Sequence, residues 1–188
     1  MLHWLRKIRR DKRGVAAMEL ALLLPFLMTL CFGLLEITFL IWATQKAEKL
    51  SVTVSDVVAQ AQTVAKSDLK SLVGSSSQIM EPFPFAKATG RVIITSAYRE
   101  VGDDKVKIKW RWDDSGSTLV VTSKIGQNVG DEAKLPAELT MNEKDNVIIA
   151  EVFYDYKPMA TGLLFGETLI YRRAFFKPRL GALTTPPS

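Results

Sequence analysis

"KRGVAAMELALLLPFLMTL", residues 12–30, joins a basic segment to an apolar one and contains a single acidic residue, Glu19. Between residues 15 and 43 the only charged side chains are Glu19 and Glu36. At about 1.5 Å per residue, a helix over residues 15–43 is roughly 43 Å long, against about 30 Å for the hydrocarbon core of a bilayer. We therefore predict one transmembrane helix over residues 15–43.

The net charge of +5 is concentrated at the start of the chain. Six basic side chains precede the apolar segment with one acidic side chain among them, and the rest of the chain has equal numbers of both signs. Because basic flanks stay in the cytoplasm, we predict a cytoplasmic leader over residues 1–14 and an exported remainder. A nucleic-acid-binding domain would spread positive charge over a folded face, so the neutral body argues against that class.

The rarest residue types exclude much chemistry. Cys31 is the only cysteine, which rules out a disulfide within the chain, and it lies in the apolar segment as a small space-filling residue. His3 is the only histidine and lies in the leader, which excludes most zinc sites and hydrolase triads. The sequence also contains no glycine-rich phosphate loop, so we expect no enzyme activity, no cofactor, no metal and no small-molecule substrate.

Glu19 is costly in an apolar helix, and two interpretations account for it. In the first, the carboxylate lies at the membrane edge and extends to the headgroups. In the second, the chain is cut after Gly14, and the new α-amine of Val15 pairs with Glu19 of a neighbouring subunit, which sets the register between helices. Glu36 lies seventeen residues further along the same apolar segment. It is either an outer-leaflet interfacial residue or a contact with a helix of another protein.

A basic leader, a glycine, a cut and an apolar helix with glutamate at the fifth mature position resemble the signal of type IV pilins and pseudopilins. The run "RRDKRGVAAMELALLLPFLMTLCFGLLEITFLIW", residues 9–42, resembles the TadE-like pseudopilins of the tight-adherence (Tad) pilus system, as does "AEVFYDYKPM", residues 150–159. Major pilins of that system are much shorter and have tyrosine after the glutamate. Here Leu20 follows Glu19, which indicates a minor, pilin-like component.

The resemblance implies a structural role and a set of partners. A prepilin peptidase of the inner membrane would remove residues 1–14. The mature chain would join other pilins or pseudopilins at an inner-membrane assembly platform driven by a cytoplasmic ATPase, with its head in the periplasm, in a system for cell adhesion and biofilm formation. The resemblance leaves open whether the protein caps or primes the pilus or stays in the membrane. The alternative is an uncleaved signal-anchor protein that presents a periplasmic binding or sensor domain.

Beyond the membrane segment, apolar residues at alternating spacings of three and four predict that the helix continues. They are Ala47, Leu50, Val54, Val57, Ala61 and Val64. We expect this amphipathic helix over residues 44–73, a linker over residues 74–85 that includes "EPFPF", and a β-rich head over residues 86–188. The predicted fold class is α+β, with a long helix followed by a small antiparallel sheet that the distal helix covers on one face.

Strand patterns fill the head. We predict strands over "RVIITSAY" (91–98), "KVKIKWRW" (105–112), "NVIIAEVFYDY" (146–156) and "ETLIYRRAFF" (167–176), with "STLVVTS" (117–123) as a further candidate. The second run alternates, which places Val106, Ile108, Trp110 and Trp112 on one face and four cations on the other. Residues 135–139 are expected to start a short helix or a turn.

Three further features have a functional and a structural interpretation. Asp113, Ser115 and Ser117 spell the D-x-S-x-S signature of metal-dependent adhesion domains, but the preceding strand alternates and few residues follow, so a hairpin turn is favoured. The cations of residues 105–111 suit acidic polymers, or simply a solvated face. The aromatic side chains of the head suit a ligand surface, or core and cross-strand pairs, which are the commoner outcome.

Overall fold

The computed structural model describes residues 13–114, 116–158, 162 and 166–188. These fall into two compact units, of which one contains Met1–Phe39 with Pro158–Gly166 and the other contains Leu40–Lys157 with Glu167–Ser188. Residues 1–12 of the predicted leader lie outside the described residues. The α+β class with a long N-terminal apolar helix and an antiparallel sheet is confirmed.

The first helix, α1 (Arg13–Ala59), passes through Pro25 without ending. In its apolar part the hydroxyl of Thr29 donates to the carbonyl of Pro25 at 2.9 Å, and that of Thr38 donates to the carbonyl of Leu34 at 2.8 Å. Both polar side chains are thus satisfied within the helix itself, as the interior of a bilayer requires.

The prediction that this helix continues to residue 73 is wrong. It ends at Ala59, a turn follows, and two short helices come next, α2 (Lys66–Gly74) and α3 (Ser76–Met80), the second inside the predicted linker. The carbonyl of Ala59 accepts the N–H of Arg179 at 2.9 Å instead of a helical donor. A distant part of the chain therefore ends α1, and no local residue marks that end.

Four strands form one antiparallel sheet. They are β1 (Gly90–Arg99), β2 (Val106–Asp113), β3 (Asn146–Tyr156) and β4 (Thr168–Phe176), in the order β2-β1-β3-β4. The candidate strand at residues 117–123 is not formed, and residues 137–138 form a turn. In residues 117–123 the Ser117 hydroxyl donates to the carbonyl of Gly90, the first residue of β1, at 2.9 Å. Ser117 thus bonds to the end of a strand and does not take part in strand pairing.

A bulge in β2 changes which side chains share a face. Ser96 pairs with Trp110 and Ala97 pairs with Ile108, which leaves Lys109 as the extra residue. Because neighbouring residues of β1 point to opposite faces, Trp110 and Ile108 lie on opposite faces too. The predicted single apolar face of this strand is therefore wrong, and its cations are divided between the two faces as well.

Both faces of the sheet are covered, where the sequence predicted one. On one face the Ser55 hydroxyl of α1 donates to the carbonyl of Ile148 at 3.0 Å. On the other face the long connection between β2 and β3 contributes to a core cluster: Ala97, Ile108, Ile125, Ala133, Met141, Val147 and Ile149. This explains why β3 is buried at ten of its eleven positions.

Candidate functional site

The predicted processing and pairing residues lie in the first turns of α1. Gly14, Val15 and Glu19 are all exposed, and Val15 retains 46% of its accessible surface. Glu19 follows Val15 by four residues, so the two lie on the same helix face one turn apart. A cut after Gly14 would place a new α-amine at the start of the helix, on the face that carries the carboxylate.

Nothing in the described part of the fold requires glycine at position 14. A Cβ atom built there has no neighbouring atom within 4 Å, and the backbone does not adopt the left-handed region. Glycine inside a helix costs roughly 0.5–1 kcal/mol relative to alanine. A glycine that packing and backbone geometry do not need suggests an interaction with another molecule.

The helix that follows exposes large apolar side chains on every side. Leu22 is 81% exposed, Met18 70%, Phe26 67% and Leu34 58%. By length and composition, this helix is long and apolar enough to cross a membrane. An apolar surface of this extent is stable only against lipid or against other apolar helices, and a membrane anchor is the straightforward interpretation.

Glu36 contrasts with its surroundings because it is buried. Only 1% of its surface is accessible, and Gly33, three residues earlier on the same face, is buried too. Glu36 also has an interaction partner within the structure. The sequence predicted either an interfacial side chain or a contact with a helix of another protein. Burial of Glu36 within the protein itself was not predicted.

A second buried carboxylate, Glu151 at the centre of β3, was not predicted from the sequence. Its surface is fully inaccessible. The Ser123 hydroxyl donates to Oε2, while the N–H of Lys124 at 2.8 Å and the hydroxyl of Tyr171 at 2.9 Å donate to Oε1. Burial, and then the negative charge of Glu151, raise the pKa of Tyr171, which keeps that hydroxyl a donor.

These contacts attach the connection between β2 and β3 to the middle of the sheet. Among the described residues, three donors satisfy the carboxylate, which indicates a structural role. One signal was available in the sequence, since Glu151 is the only acidic residue within the apolar run "VIIAEVFY". A strand buried on both faces does not tolerate an acid without partners.

The two described residues of the D-x-S-x-S motif, Asp113 and Ser117, have partners within the protein. Both carboxylate oxygens of Asp113 accept from Arg91, at 2.9 and 2.8 Å, and Arg111 reaches one of them at 3.1 Å. Ser117 donates to backbone carbonyls, and Ser115 lies outside the described residues. Within the part of the chain that the structure describes, no cluster of three metal-ligating side chains occurs.

The cations of the basic run are paired with acids. Lys105 lies 2.9 Å from Glu132, Lys107 lies 2.7 Å from Asp103, and Lys109 bonds to Glu100. Together with the Arg111 pair, this neutralises the segment, so a polyanion would have to displace protein carboxylates. Side-chain hydrogen bonds to these acids raise the pKa of Lys105 and of Lys107.

Several of the large aromatic side chains of the head are core residues. Trp110, Phe153 and Tyr156 are each no more than 2% exposed. Phe85 stacks on Tyr154 with 6.0 Å between ring centroids. The aromatic residues of the head therefore fill space and form cross-strand pairs, the outcome that the sequence favoured.

Comparison with known proteins identifies the N-terminal part. Residues 14–51 match the family model described as TadE-like protein. The matched segment contains the exposed apolar helix, Glu19 and Glu36, and it begins at Gly14. No curated protein and no solved structure matches the chain. The match confirms the suspected TadE-like segment and points to a component associated with the Tad pilus.

Proposed function

We propose that this chain is a pseudopilin, a minor pilin-like structural component of Tad pilus assembly, processed by a prepilin peptidase between Gly14 and Val15. The observation that carries the proposal is the position of the family match, which begins at Gly14 and covers the exposed apolar helix. The exposure of Gly14 supports it, because a protease must reach the bond that it cuts. So does the absence of any packing reason for a glycine there.

Glu19 is proposed to pair with the α-amine of Val15 in a neighbouring subunit. The carboxylate is exposed on the helix, so a second helix can approach it. In a medium of low dielectric constant, a shift of the neighbouring helix by one step would leave both charges without a partner. The pair would therefore select one stagger between helices that are otherwise uniformly apolar.

The proposed location follows from the same segment. α1 anchors the protein in the inner membrane, the basic leader faces the cytoplasm, and the head lies in the periplasm. The proposed partners are the prepilin peptidase, other pilins or pseudopilins, and the inner-membrane assembly platform. Lipid or apolar helices would cover the side chains that are exposed in the isolated chain.

A second candidate is an uncleaved signal-anchor protein that presents a periplasmic binding or sensor domain. One observation favours it: most of the folded head lies outside the matched residues 14–51 and has its own core. Both candidates share the anchor and the orientation. They differ in whether the leader is removed.

The intact mass of the membrane-extracted protein separates the two candidates. In cells that contain the prepilin peptidase, we expect the mature chain to begin at Val15. Gly14→Val should retain the leader, and a matched control, Ala16→Val, should still be cut, since both changes add a β-branched residue to the same helical turn. A wild-type chain that still begins at Met1 in peptidase-positive cells would rule out the pseudopilin.

A further inference from the structure

The two edges of the sheet are treated differently by the rest of the chain. Along β2, the carbonyl of Asp131 accepts the N–H of Ile108 at 3.0 Å, and the carbonyl of Ile108 accepts the N–H of Gly130 at 2.8 Å. Two residues after Asp131, the N–H of Ala133 donates to the carbonyl of Val106 at 2.8 Å. Residues 130–133 thus cover the first part of this edge and satisfy backbone groups of Val106 and Ile108.

The edge formed by β4 has no such cover. Over Leu169–Phe176 the strand pairs with β3, and among the described residues no other backbone segment bonds to it. In an edge strand, every second residue directs its N–H and C=O away from the sheet. Two carbonyls of β4 accept from side chains, that of Tyr171 from Arg172 at 2.8 Å and that of Ala174 from Ser55 at 3.4 Å. The remaining outward groups of β4 are donors and acceptors without a backbone partner among the described residues, next to Leu169, which is 48% exposed.

Arg173 adds a positive charge to this edge. It lies directly opposite Glu151 on β3, yet no ion pair joins the two side chains. The oxygens of Glu151 accept from Ser123, Lys124 and Tyr171 instead. The Arg173 guanidinium lies over the ring of Phe175, 5.3 Å from its centroid, and it is close enough to the Tyr171 hydroxyl to act against the rise in that group's pKa. It has no carboxylate within 4 Å among the described residues.

Arg172 lies on the other face of the sheet and, like Arg173, forms no ion pair among the described residues. Arg172 is opposite Val152, which is buried and apolar. Its guanidinium donates to the backbone carbonyl of Tyr171 at 2.8 Å, and within the described chain it forms no ion pair. The edge therefore carries two guanidinium groups that form no ion pair within the described chain, whereas the cations of β2 are paired.

We propose that β4 is a docking edge for an extended segment of another protein, which adds a fifth strand to the sheet and places a carboxylate opposite Arg173. The outward N–H and C=O groups supply the ladder, and the charge of the arginines selects an acidic strand. A strand paired with β4 brings its side chains within about 5 Å of those opposite, which is close enough for an ion pair.

The same charges argue against a second copy of this chain as the occupant. Two β4 strands paired edge to edge bring Arg172 and Arg173 of one copy close to the same residues of the other. Like charges on paired strands repel, and charged side chains on edge strands are a common protection against self-pairing. Docking at β4 does not require cleavage at Gly14, so a negative result for one proposal does not affect the other.

Amide hydrogen exchange of the full chain in detergent micelles tests this inference with two eight-residue peptides. One alternates valine with glutamate and the other alternates valine with lysine. We expect the glutamate peptide to slow the exchange of alternate amides in Leu169–Phe176, and the lysine peptide to leave them unchanged. Equal effects of both peptides, protection of these amides without peptide, or concentration-dependent dimers that explain the protection would each overturn the proposal.

Charge reversal makes the test specific to one side chain. Arg173→Glu should weaken binding of the glutamate peptide roughly fivefold and should allow the lysine peptide to bind. Lys107→Glu, on the covered edge, should change neither result. If Arg173→Glu leaves the preference for the glutamate peptide intact, Arg173 does not select the partner. Since the readout includes a gain of binding, a loss of stability in the variant cannot imitate the expected result.

Discussion

The carbonyl oxygen of Leu183 accepts the indole N–H of Trp110 at 2.7 Å, and it also accepts the hydroxyl of Ser96 at 2.6 Å. The N–H of Leu183 donates in turn to the side chain of Asn146 at 2.8 Å. Leu183 is only 5% exposed. One residue of the C-terminal segment therefore satisfies polar groups from three strands on the face that α1 also covers.

Leu183→Ala tests whether this segment is part of the core. Removal of a buried leucine side chain should lower the free energy of unfolding by about 2–5 kcal/mol, because the cavity left behind cannot close fully. Leu180→Ala is the matched control, since Leu180 is 63% exposed and its loss should change stability by less than about 0.5 kcal/mol. Denaturation of the full chain in detergent measures both, and equal effects would contradict the assigned packing.

The buried carboxylate of Glu151 gives a second prediction. Glu151→Gln keeps the shape but replaces one acceptor with a donor, so the bond that Ser123 donates to Oε2 must be lost or reversed, and the charge that strengthens the other two bonds is removed. The expected loss of stability is about 1–3 kcal/mol. We also expect faster exchange of the Lys124 amide, which donates to Oε1 at 2.8 Å.

Glu138→Gln is the control for the change of charge alone, because Glu138 is exposed. It should leave both stability and the Lys124 amide unchanged. If Glu151→Gln behaves like this control, the carboxylate does not hold the connection between β2 and β3 against the sheet.

The strands were predictable from the sequence because their signal is local. β3 has the bounds that were predicted, and β1, β2 and β4 differ from their predictions by one residue at one or both ends. Runs of β-branched and aromatic residues between turn residues produce this agreement. The start of α1 and its apolar character were predictable for the same reason.

The features that the sequence did not reveal depend on distant parts of the chain. α1 ends where Arg179 supplies a hydrogen bond, about 120 residues away. The bulge at Lys109 leaves the alternation of β2 intact, so only the pairing with β1 exposes it. The partners of Glu151 come from a loop and from the next strand. Local pattern fixes the elements, and long-range hydrogen bonds decide their ends and their faces.

Asp145 gives a prediction for acid conditions. It lies 2.7 Å from Lys177 and accepts the N–H of Asn142 at 2.8 Å. The hydrogen bond from Lys177, followed by that from Asn142, lowers the pKa of Asp145 from its ordinary value of 3.8. A lowered pKa means that the folded state binds the proton more weakly than the unfolded state. The stabilisation is therefore present above pH 3.8 and is lost as the pH falls through the folded-state pKa.

Asp145→Asn should accordingly lower the unfolding temperature at neutral pH, and the difference from the wild type should shrink as the pH falls below about 4. Asp104→Asn is the control, because the Asp104 side chain is fully exposed and its pair with Arg99 lies at the surface. Thermal unfolding followed across this range measures the difference. If the difference in unfolding temperature between Asp145→Asn and the wild type stays constant with pH, the stabilisation assigned to the Asp145 carboxylate is wrong.

Glu19→Ala tests the pairing that the proposed function assigns to the start of α1. Replacement of a charge by a methyl group makes the helix more apolar, so insertion into the membrane should be retained or improved. Removal of the leader should continue, because the bond after Gly14 is unchanged. Pilus assembly should fail, because no carboxylate remains to pair with the Val15 amine of the next subunit. Glu48→Ala is the control, because Glu48 is exposed on the same helix after the predicted membrane segment, and it should preserve assembly. The readouts are membrane fractionation, intact mass and surface pili counted by electron microscopy in one strain. Wild-type numbers of pili with Glu19→Ala would show that register is set by apolar packing alone.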